Sequence, residues 1–388
     1  MPPAPRSVRA AVIPAPRAPI ELRDYPEPAL EPGAVILETI ASEVCGTDVH
    51  LWHGRLAGVP YPLIPGHVAA GRIAALRGPV ADLDGRPFRE GETVAFLDVH
   101  GTCGACWYCL VARESTRCPH RRVYGITYGA DDGLHGGWAE RIHLRPGTHL
   151  LRLPGELDPF TYVSGGCGAV TAYHAVRRGG VRLGDTVVVL GTGPVGQSVV
   201  AFAALSGAAP IVAVGAPADR LAMARRMGAD EAFSIETLDA VARRAAILDC
   251  TGGRGADIVI EATGDPDAVP EGAALCRDGG VLVVAGQYTD TGDTRLNPHA
   301  LINRKHLEVR GCWGSDYSHF EGAIRAMARH QARVPWRDQV GGWFGLDAAG
   351  QALSLVAERK LLKAGIAPNG APRPEEKCGR ATGIRTPV

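Results

Sequence analysis

The feature that most constrains this chain is a glycine-rich turn that follows a strongly β-branched run. Residues 186–190 are TVVVL and residues 191–196 are GTGPVG, with glycines at Gly191, Gly193 and Gly196. The first glycine permits a tight turn, the second lets the backbone approach a pyrophosphate, and the third allows close packing of helix on strand. A helix that begins there directs free N–H groups and a partial positive charge toward the phosphates. The turn predicts a strand–turn–helix unit that binds a dinucleotide, and a purely structural glycine turn is the alternative.

The residue pattern of the 388-residue chain changes near this turn, which predicts about two domains. Residues 1–168 contain short β-like runs separated by turn residues, whereas residues 169–305 alternate apolar strands with helical segments. That alternation predicts a doubly wound parallel sheet with helices on both faces. The run HLEVRGCW at 306–313 is a candidate closing strand, and residues 306–370 are expected to return to the first domain. Residues 371–388 lack apolar periodicity, and we expect them to form a disordered tail.

The composition of the chain argues against several classes of function. Lys plus Arg and Asp plus Glu both number 41, and this zero net charge argues against a strongly basic nucleic-acid-binding protein. The first residues are interrupted by prolines and contain no apolar run of the kind found in a secretory signal. Residues 186–218 carry no charge, yet their glycines and prolines fit a strand–turn–helix–strand unit better than a membrane span. We therefore expect a cytoplasmic protein that works without nucleic acid or membrane.

The end of the second predicted strand bears on which dinucleotide binds. An NAD site usually carries Asp or Glu about 20 residues past the glycine turn, where it bonds to the adenosine ribose. Here Gly215 stands 19 residues beyond Gly196 and is followed by Ala216 and Pro217. The missing carboxylate removes repulsion of a 2′-phosphate, which Arg220 could then bind. Alternatively, Arg220 is a solvated helix residue and NAD is held by other contacts, so the sequence predicts NAD(P) and leaves the choice open.

Four of the ten cysteines are closely spaced. They form C-x2-C-x2-C-x8-C within sixteen residues, at Cys103, Cys106, Cys109 and Cys118. In a chain without an export signal, such clustering indicates a metal site rather than disulfides. Four thiolates can enclose one zinc ion tetrahedrally, which is the closed shell typical of a structural site. Scattered buried or redox-active cysteines are the alternative.

Five motifs stand in a fixed order along the chain. They are Cys45-Gly-Thr-Asp-Val-His50, Gly66-His67, the four-cysteine segment, Cys167 followed by Thr171, and GTGPVG. In this respect the chain resembles the zinc-dependent medium-chain alcohol and polyol dehydrogenases over residues 8–368, and the ordered set is far more specific than any one motif. The resemblance implies an α/β protein with a GroES-like β-rich catalytic domain from both chain ends. It also implies a Rossmann cofactor domain between them and a cleft for a catalytic zinc ion.

The resemblance further implies two zinc ions per chain. The catalytic ion would be held by Cys45, His67 and Cys167, which is the ligand set known for alcohol dehydrogenase itself. The structural ion would be held by the four-cysteine segment. Taken singly, a lone cysteine or histidine is more often a core residue, so this assignment depends on the complete set.

Roles near the substrate and the cofactor follow from the same resemblance. Thr47 and His50 would relay the substrate proton through the cofactor ribose, with a plain surface histidine as the alternative for His50. Asp48 would orient the ligating histidine and fix its tautomer. Two threonines would lie near the nicotinamide, Thr171 and Thr263. The remaining contacts to the dinucleotide would come from Gly191, Gly193, Pro194, Val195, Gly196, Gly215 and Arg220.

Three positions depart from the family pattern. The family usually has Glu after the ligating histidine, where this chain has Val68, and this difference bears on zinc exchange and water displacement. The last cysteine spacing is one residue longer than usual, which is a small change of loop length. The acidic ribose ligand is absent, because Gly215 stands in its place.

The expected reaction is the reversible oxidation of a secondary alcohol to a ketone, with hydride transfer to NAD(P). Family analogy favours a polyol, sugar-alcohol or cyclitol-like substrate. Trp52, His53 and Trp313 are candidates for the pocket wall, with ordinary core packing as the alternative. A zinc-free enone or quinone reductase is one alternative, against which both cysteine sets argue. A non-catalytic nucleotide- or zinc-binding protein on the same scaffold is another, slightly favoured by Val68. The expected assembly is a homodimer or homotetramer.

Overall fold

A computed structural model describes residues 6–370, so the predicted disordered tail at 371–388 lies outside the described residues. The strands within that range are β1 (Ser7–Val12), β2 (Glu21–Pro26), β3 (Val35–Val44), β4 (Ala69–Leu76), β5 (Thr93–Phe96), β6 (Val99–His100), β7 (Arg122–Val123), β8 (Arg141–Leu144), β9 (Leu150–Arg152), β10 (Val187–Leu190), β11 (Ile211–Gly215), β12 (Glu231–Ser234), β13 (Ala256–Glu261), β14 (Cys276–Val284), β15 (Glu308–Gly311), β16 (Val340–Phe344) and β17 (Lys363–Ile366). The α-helices are α1 (Gly46–Trp52), α2 (Trp107–Leu110), α3 (Pro159–Gly179), α4 (Pro194–Leu205), α5 (Ala218–Met227), α6 (Ala240–Cys250), α7 (Ala268–Leu275), α8 (Tyr317–His330) and α9 (Ala349–Ala357).

A six-stranded parallel sheet forms the centre of the second half of the chain. Its strand order is β12-β11-β10-β13-β14-β15, and every neighbouring pair is parallel. All four residues of β10 are buried, as expected for a strand covered by helices on both faces. The order reverses between β10 and β13, and ligands of doubly wound sheets bind at this point, outside the carboxyl ends of the strands. The sheet confirms the predicted Rossmann fold.

A second, seven-stranded sheet combines both ends of the chain. Its order is β16-β17-β3-β4-β5-β9, and β8 also pairs with β3. β17 is antiparallel to β3, with Ala364 opposite Val44. This pairing joins the last described strand to the β-rich first part of the chain, in agreement with the GroES-like catalytic domain implied by the resemblance.

The expected boundary at residue 306 between the second domain and the return to the first is wrong. We expected the chain to return to the first domain from residue 306 onward, but β15 pairs in parallel with β14 in the six-stranded sheet. The buried Leu307 and Cys312 at the ends of β15 anchor this strand in the cores on either side. The return therefore begins after Gly311, and the candidate closing strand within 306–313 does complete the parallel sheet.

Helix α3 lies between the two sheets. It packs against α4 and α8, against β13 and β14 of the parallel sheet, and against β3 and β4 of the second sheet. The helix is kinked at Gly166, where φ is 51° and ψ is −143°. Such a backbone conformation favours glycine, because a side chain at positive φ is strained. The kink redirects the backbone immediately before Cys167.

The uncharged segment at 186–218 forms β10, α4 and β11, which is the strand–turn–helix–strand unit predicted for it. Among residues 6–370, no helix combines the length and apolarity that a bilayer crossing requires.

Candidate functional site

A cavity of about 470 Å³ opens between the two sheets. Its wall is built from α1, α3 and the segments that follow β10, β13, β14 and β15. These segments leave the carboxyl ends of the parallel strands, which is where a doubly wound sheet binds its ligands. The wall includes both the predicted metal ligands and the predicted dinucleotide turn, so one space contains the two parts of the expected site.

Cys45, His67 and Cys167 converge in this wall. Together with Glu43 they each offer one ligand atom, and these four atoms all lie within 4.8 Å of one another. The Sγ atoms of Cys45 and Cys167 are 3.6 Å apart. The contact with Cys45, together with burial, raises the pKa of the Cys167 thiol well above its ordinary value. Two thiols, an imidazole and a carboxylate in one buried space are a donor set that fits a zinc ion.

Three different elements position these side chains. Cys45 follows β3 directly and is the N-cap residue of α1. His67 lies just before β4, which pairs with β3 in antiparallel register. Cys167 follows the kink in α3. The cluster therefore forms only when β3, β4 and α3 pack together.

The structure adds an acidic residue that the sequence motifs did not identify. Glu43 is fully buried in β3, and its Oε1 atom lies 3.4 Å from His67 Nε2. Its Oε2 atom lies 2.6 Å from the Nζ atom of Lys363, which is fully buried in β17. Burial opposes ionisation of Glu43, but Lys363 and His67 hold the pKa of its carboxyl below the ordinary value. The signal in the sequence was a charged residue inside each of two apolar strand runs, and spacing along the chain could not pair them.

Asp48 differs from its expected role. We expected it to orient His67 through a hydrogen bond, but its carboxylate accepts from the backbone N–H of Cys45 at 2.9 Å and of Gly66 at 3.4 Å. The Nδ1 atom of His67 has no hydrogen-bond partner among residues 6–370. Asp48 is fully buried as the third residue of α1, and its short side chain reaches the backbone of Cys45 and of Gly66, the residue before His67, rather than the imidazole. It therefore positions the backbone of two ligand segments.

Thr47 and His50 both line the cavity, as their predicted roles require. They lie three residues apart on α1, a spacing that brings side chains to one face of a helix. The Nδ1 atom of His50 is buried and has no hydrogen-bond partner within the described range. Burial, with a contribution from the nearby Arg55, lowers the pKa of His50, so the ring is neutral near pH 7.

The glycine turn has the geometry that a pyrophosphate requires. Gly193 is the N-cap residue of α4, and a Cβ atom there would meet no protein atom within 4 Å. A Cβ atom on Gly196 would lie 1.9 Å from the carbonyl oxygen of Gly191, so only glycine fits beneath the turn. The cavity wall also contains Pro194, Val195, Thr171 and Thr263. The Oγ1 atom of Thr263 donates to Glu261 at 2.7 Å, at the end of β13.

Gly215 ends β11, and Arg220 lies in the first turn of α5 that follows. The guanidinium of Arg220 donates to the carbonyl oxygen of Arg359 at 3.4 Å. Burial lowers the pKa of Arg220. The positive charge of Arg359 lowers it further, whereas the negative charge of the neighbouring Asp219 raises it. Arg220 is thus partly buried beside a second arginine rather than fully solvated.

The four closely spaced cysteines converge around α2. One ligand atom of each lies within 4.8 Å of the others. The sulfur atoms of Cys106 and Cys109 are 3.5 Å apart, and those of Cys103 and Cys118 are 3.7 Å apart. Although burial opposes ionisation, backbone N–H groups including that of Cys103 lower the pKa of Cys118 to about 7. Four thiols, one of them readily ionised, fit a zinc ion in a closed shell.

Of the three candidates for the pocket wall, one lines the cavity and two do not. Trp313 lines the cavity and stacks on Tyr288, with ring centroids 6.0 Å apart. Arg117, within the four-cysteine segment, and Arg121, three residues after Cys118, lie over the Trp313 ring at 4.4 and 5.1 Å. Trp52 and His53 do not line the cavity in the part of the chain that the structure describes. The indole N–H of Trp52 instead donates to the carbonyl oxygen of Ala18 at 2.9 Å.

Comparison with known proteins places this chain in a family. The chain matches the zinc-binding dehydrogenase family over residues 194–329 and the alcohol dehydrogenase GroES-like domain over residues 31–155. It is 34% identical over 339 residues to 5-exo-hydroxycamphor dehydrogenase of Pseudomonas putida, a match that covers 86% of this chain and 91% of that protein. It is 30% identical over 293 residues to sorbitol dehydrogenase of Bacillus subtilis, covering 73% of this chain and 76% of that protein.

Solved structures agree with the sequence comparisons. The crystal structure of an alcohol dehydrogenase from Thermotoga maritima is similar with a TM-score of 0.90 at 32% identity, covering 93% of this chain and 99% of that one. The two family matches and the identity over most of both chains lead to one conclusion: this chain is an alcohol oxidoreductase that belongs to the zinc-dependent medium-chain alcohol dehydrogenase family.

Proposed function

We propose that this protein is a zinc-dependent NAD(P) oxidoreductase that reversibly oxidises a secondary alcohol to a ketone. The observation that carries the proposal is the convergence of Cys45, His67 and Cys167 on the cavity that also contains the glycine turn. Hydride transfer requires the carbinol carbon and the nicotinamide to be aligned in a space that excludes water. A cavity between the two sheets supplies that space.

When bound, a zinc ion at Cys45, His67 and Cys167 would supply a Lewis acid that lowers the pKa of the substrate hydroxyl, and a nicotinamide near Thr171 and Thr263 would accept hydride. The hydroxyl of Thr47, in the first turn of α1, would take up the proton of the substrate while it gives up its own along the relay that ends at His50. His50 receives that proton, since its lowered pKa keeps the ring neutral and able to accept.

We propose a second zinc ion per chain in the four-cysteine segment, with a structural role. Its support is the convergence of the four sulfur atoms without an imidazole or carboxylate among them. Because Arg117 and Arg121 flank Cys118 and lie over Trp313, this ion would also hold one wall of the substrate cavity.

The dinucleotide is NAD or NADP, and the arginines favour NADP. Arg220 and Arg359 lie together near the end of β11, where a ribose carboxylate ligand is absent. The positive charge of Arg359 lowers the pKa of Arg220, so two cations lie close enough to repel each other, and the anionic 2′-phosphate of NADP would relieve that repulsion.

Two substrate classes are supported by different parts of the cavity wall. A polyol, sugar alcohol or cyclitol would find polar partners in Asp98 and Arg121, which both line the cavity. An apolar alicyclic alcohol would instead contact the apolar side chains of the wall, and similarity to a hydroxycamphor dehydrogenase favours this second class. The apolar side chains include Leu56, Val59, Val123, Ile126 and Phe320.

A substrate panel with both cofactors tests the proposal. Purified protein is assayed with polyols, aminocyclitols and alicyclic secondary alcohols, following absorbance of the reduced nicotinamide, while zinc per chain is measured by elemental analysis. Two zinc ions and turnover of at least one class are expected. The variant Arg121→Met should lower kcat/KM for polyols and leave it nearly unchanged for alicyclic alcohols if polyols are the substrates. A zinc content near zero, or no turnover across the panel, would contradict the proposal.

The proposal also covers the domain boundaries and the oligomeric state. We propose a catalytic domain formed by residues 6–168 with the segment after β15, and a cofactor domain formed by the residues between. Family resemblance favours a homodimer or homotetramer, which light scattering of the purified chain would test.

A further inference from the structure

One buried carboxylate beside the metal ligands has no role in the proposed reaction. Glu43 is fully buried, and one of its oxygens is among the four ligand atoms that lie within 4.8 Å of one another. Its two oxygens face different partners, with Oε1 at 3.4 Å from His67 Nε2 and Oε2 at 2.6 Å from Lys363 Nζ. A buried charge is costly unless it is paired and hydrogen-bonded, so its location beside three metal-binding groups calls for a function.

A structural ion pair does not by itself explain Glu43. Removing two charges from water costs about as much as their attraction returns, so an apolar pair would serve stability equally well. Moreover, the Lys363 ammonium already donates to three backbone carbonyl oxygens, those of Val163, Ser164 and Gly165, at 2.9–3.2 Å. Lys363 thus has acceptors of its own on α3, and the carboxylate remains available on its other side.

The carboxylate is fitted closely to a second metal ligand. The backbone N–H of Cys167 donates to both oxygens of Glu43, at 3.2 and 3.3 Å. A Cβ atom on Gly166 would lie 2.0 Å from Oε2 of Glu43 and 2.6 Å from Nζ of Lys363. The kink in α3, the position of Cys167 and the pair Glu43–Lys363 are therefore parts of one arrangement.

Pairing between strands explains why an acidic side chain of β3 reaches this point. The backbone N–H of Glu43 donates to the carbonyl oxygen of Val68 at 3.1 Å, so Glu43 lies directly beside the residue that follows His67. A carboxylate on β3 can thus approach the imidazole from the neighbouring strand, although Val68 itself supplies none.

Charge balance supports the same conclusion. Two thiolates and the Glu43 carboxylate carry three negative charges, and a divalent cation with the Lys363 ammonium carries three positive charges. Among these groups the opposite charges offset one another, which lowers the free-energy cost of placing them in a buried, low-dielectric site. Lys363 also gives the carboxylate a partner whether or not it binds a metal.

We propose that Glu43 is the fourth protein ligand of the metal site formed with Cys45, His67 and Cys167 when no substrate is bound, that the substrate oxygen takes its place during turnover, and that Lys363 positions its carboxylate. This inference rests on the proposed function, because it requires a metal at that site. It assigns to β3 a ligand that the order of motifs along the chain did not predict.

The test compares metal binding of the full-length chain with that of the variant Glu43→Gln, which keeps the shape of the side chain but weakens it as a ligand. Zinc is replaced by Co²⁺, whose visible absorption reports the number and type of ligands, and the affinity of each site is measured by competition with a chelator. The variant should lose about ten- to hundredfold in affinity at one of its two sites and show a changed cobalt spectrum. The four-cysteine site serves as the internal reference and should keep its affinity.

Two further variants keep the test decisive. Glu261→Gln removes a different buried carboxylate, one that bonds to Thr263 and Gly286 away from the cluster, and it should leave both cobalt affinities unchanged. If Glu43→Gln fails to fold because Lys363 is left unpaired, the double variant with Lys363→Met restores a neutral pair and is measured instead.

The outcomes separate this inference from the proposed function. Wild-type protein that binds Co²⁺ at two sites, with both affinities and the spectrum unchanged in Glu43→Gln, would overturn the ligand role and leave the proposed dehydrogenase intact. Wild-type protein that binds Co²⁺ only at the four-cysteine site would overturn both.

Discussion

Thr192 and Gly215 are packed so closely that a Cβ atom on Gly215 would lie 2.4 Å from Thr192 Oγ1. The Thr192 hydroxyl donates to the carbonyl oxygen of Ala216 at 3.1 Å, which holds the threonine against the end of β11. The second residue of the glycine turn therefore crowds any side chain at position 215, where the NAD pattern places its acidic ribose ligand. The glycine that stands in place of the acidic residue thus matches the close packing of Thr192 at this position.

Cofactor preference should depend on Arg220. The change Arg220→Ala is expected to lower kcat/KM for NADP by about tenfold or more relative to NAD, because it removes a charge-assisted bond to the 2′-phosphate. Steady-state kinetics with both cofactors measures the ratio. Arg225→Ala, on the same helix but pointing to solvent beside Glu231, is the matched control and should leave the ratio unchanged. A wild-type protein that strongly prefers NAD would contradict the role of Arg220.

Proton relay by His50 predicts a specific pH dependence. The burial of His50 lowers its pKa, so the neutral ring persists below pH 6.5 and alcohol oxidation declines only as the pH falls further. His50→Gln should abolish this acid limb and lower kcat by about a hundredfold. His53→Gln is the control, since His53 does not line the cavity within residues 6–370. An unchanged pH–rate profile in His50→Gln would exclude the relay.

Loss of the second metal site should affect stability more than chemistry. Cys106→Ser is expected to reduce zinc from two ions to one per chain and to lower the melting temperature, since a structural zinc ion contributes folding energy directly. Elemental analysis and thermal unfolding measure both effects. Cys250→Ser, in α6 and outside both cysteine clusters, should change neither quantity. Unchanged zinc content in Cys106→Ser would refute the structural site.

Acid sensitivity of folding should depend in part on His135. Burial lowers the pKa of His135 to about 4, and its Nδ1 atom lies 2.9 Å from the carbonyl oxygen of His143. The unfolded chain binds a proton at this residue below about pH 6.5, whereas the folded chain does so only near pH 4. The contribution of His135 to the free energy of unfolding is therefore at its maximum above pH 6.5. It falls as the pH drops from 6.5 toward 4, by about 2 kcal/mol at pH 5.

Urea unfolding at pH 7.5 and pH 5.0 tests this expectation. His135→Gln should lose about 2 kcal/mol less than the wild type between the two conditions, although it starts from a lower stability. The exposed His120 provides the control, and His120→Gln should retain the wild-type difference. If the free energy of unfolding falls equally in the wild type and in His135→Gln between pH 7.5 and pH 5.0, His135 is not the cause of the pH dependence.

Short-range spacing in the amino-acid sequence determined the features whose geometry is local. GTGPVG predicted a turn and the helix that begins at Pro194, and four cysteines within sixteen residues predicted one cluster, because neighbouring residues can reach only a few conformations relative to one another. The Rossmann fold followed from a longer pattern, because strands that alternate with helices favour a parallel sheet. The grouping of Cys45, His67 and Cys167 came from resemblance, not from spacing.

Contacts between distant strands were decided only by the tertiary structure. Glu43 meets Lys363 because β17 pairs with β3, and Asp48 reaches backbone N–H groups rather than His67 because of where α1 begins. Trp313 enters the cavity wall through stacking and arginine contacts that no local pattern encodes. The physical reason is that the partner of a buried side chain depends on sheet register and helix packing, which many weak contacts set together across the whole chain.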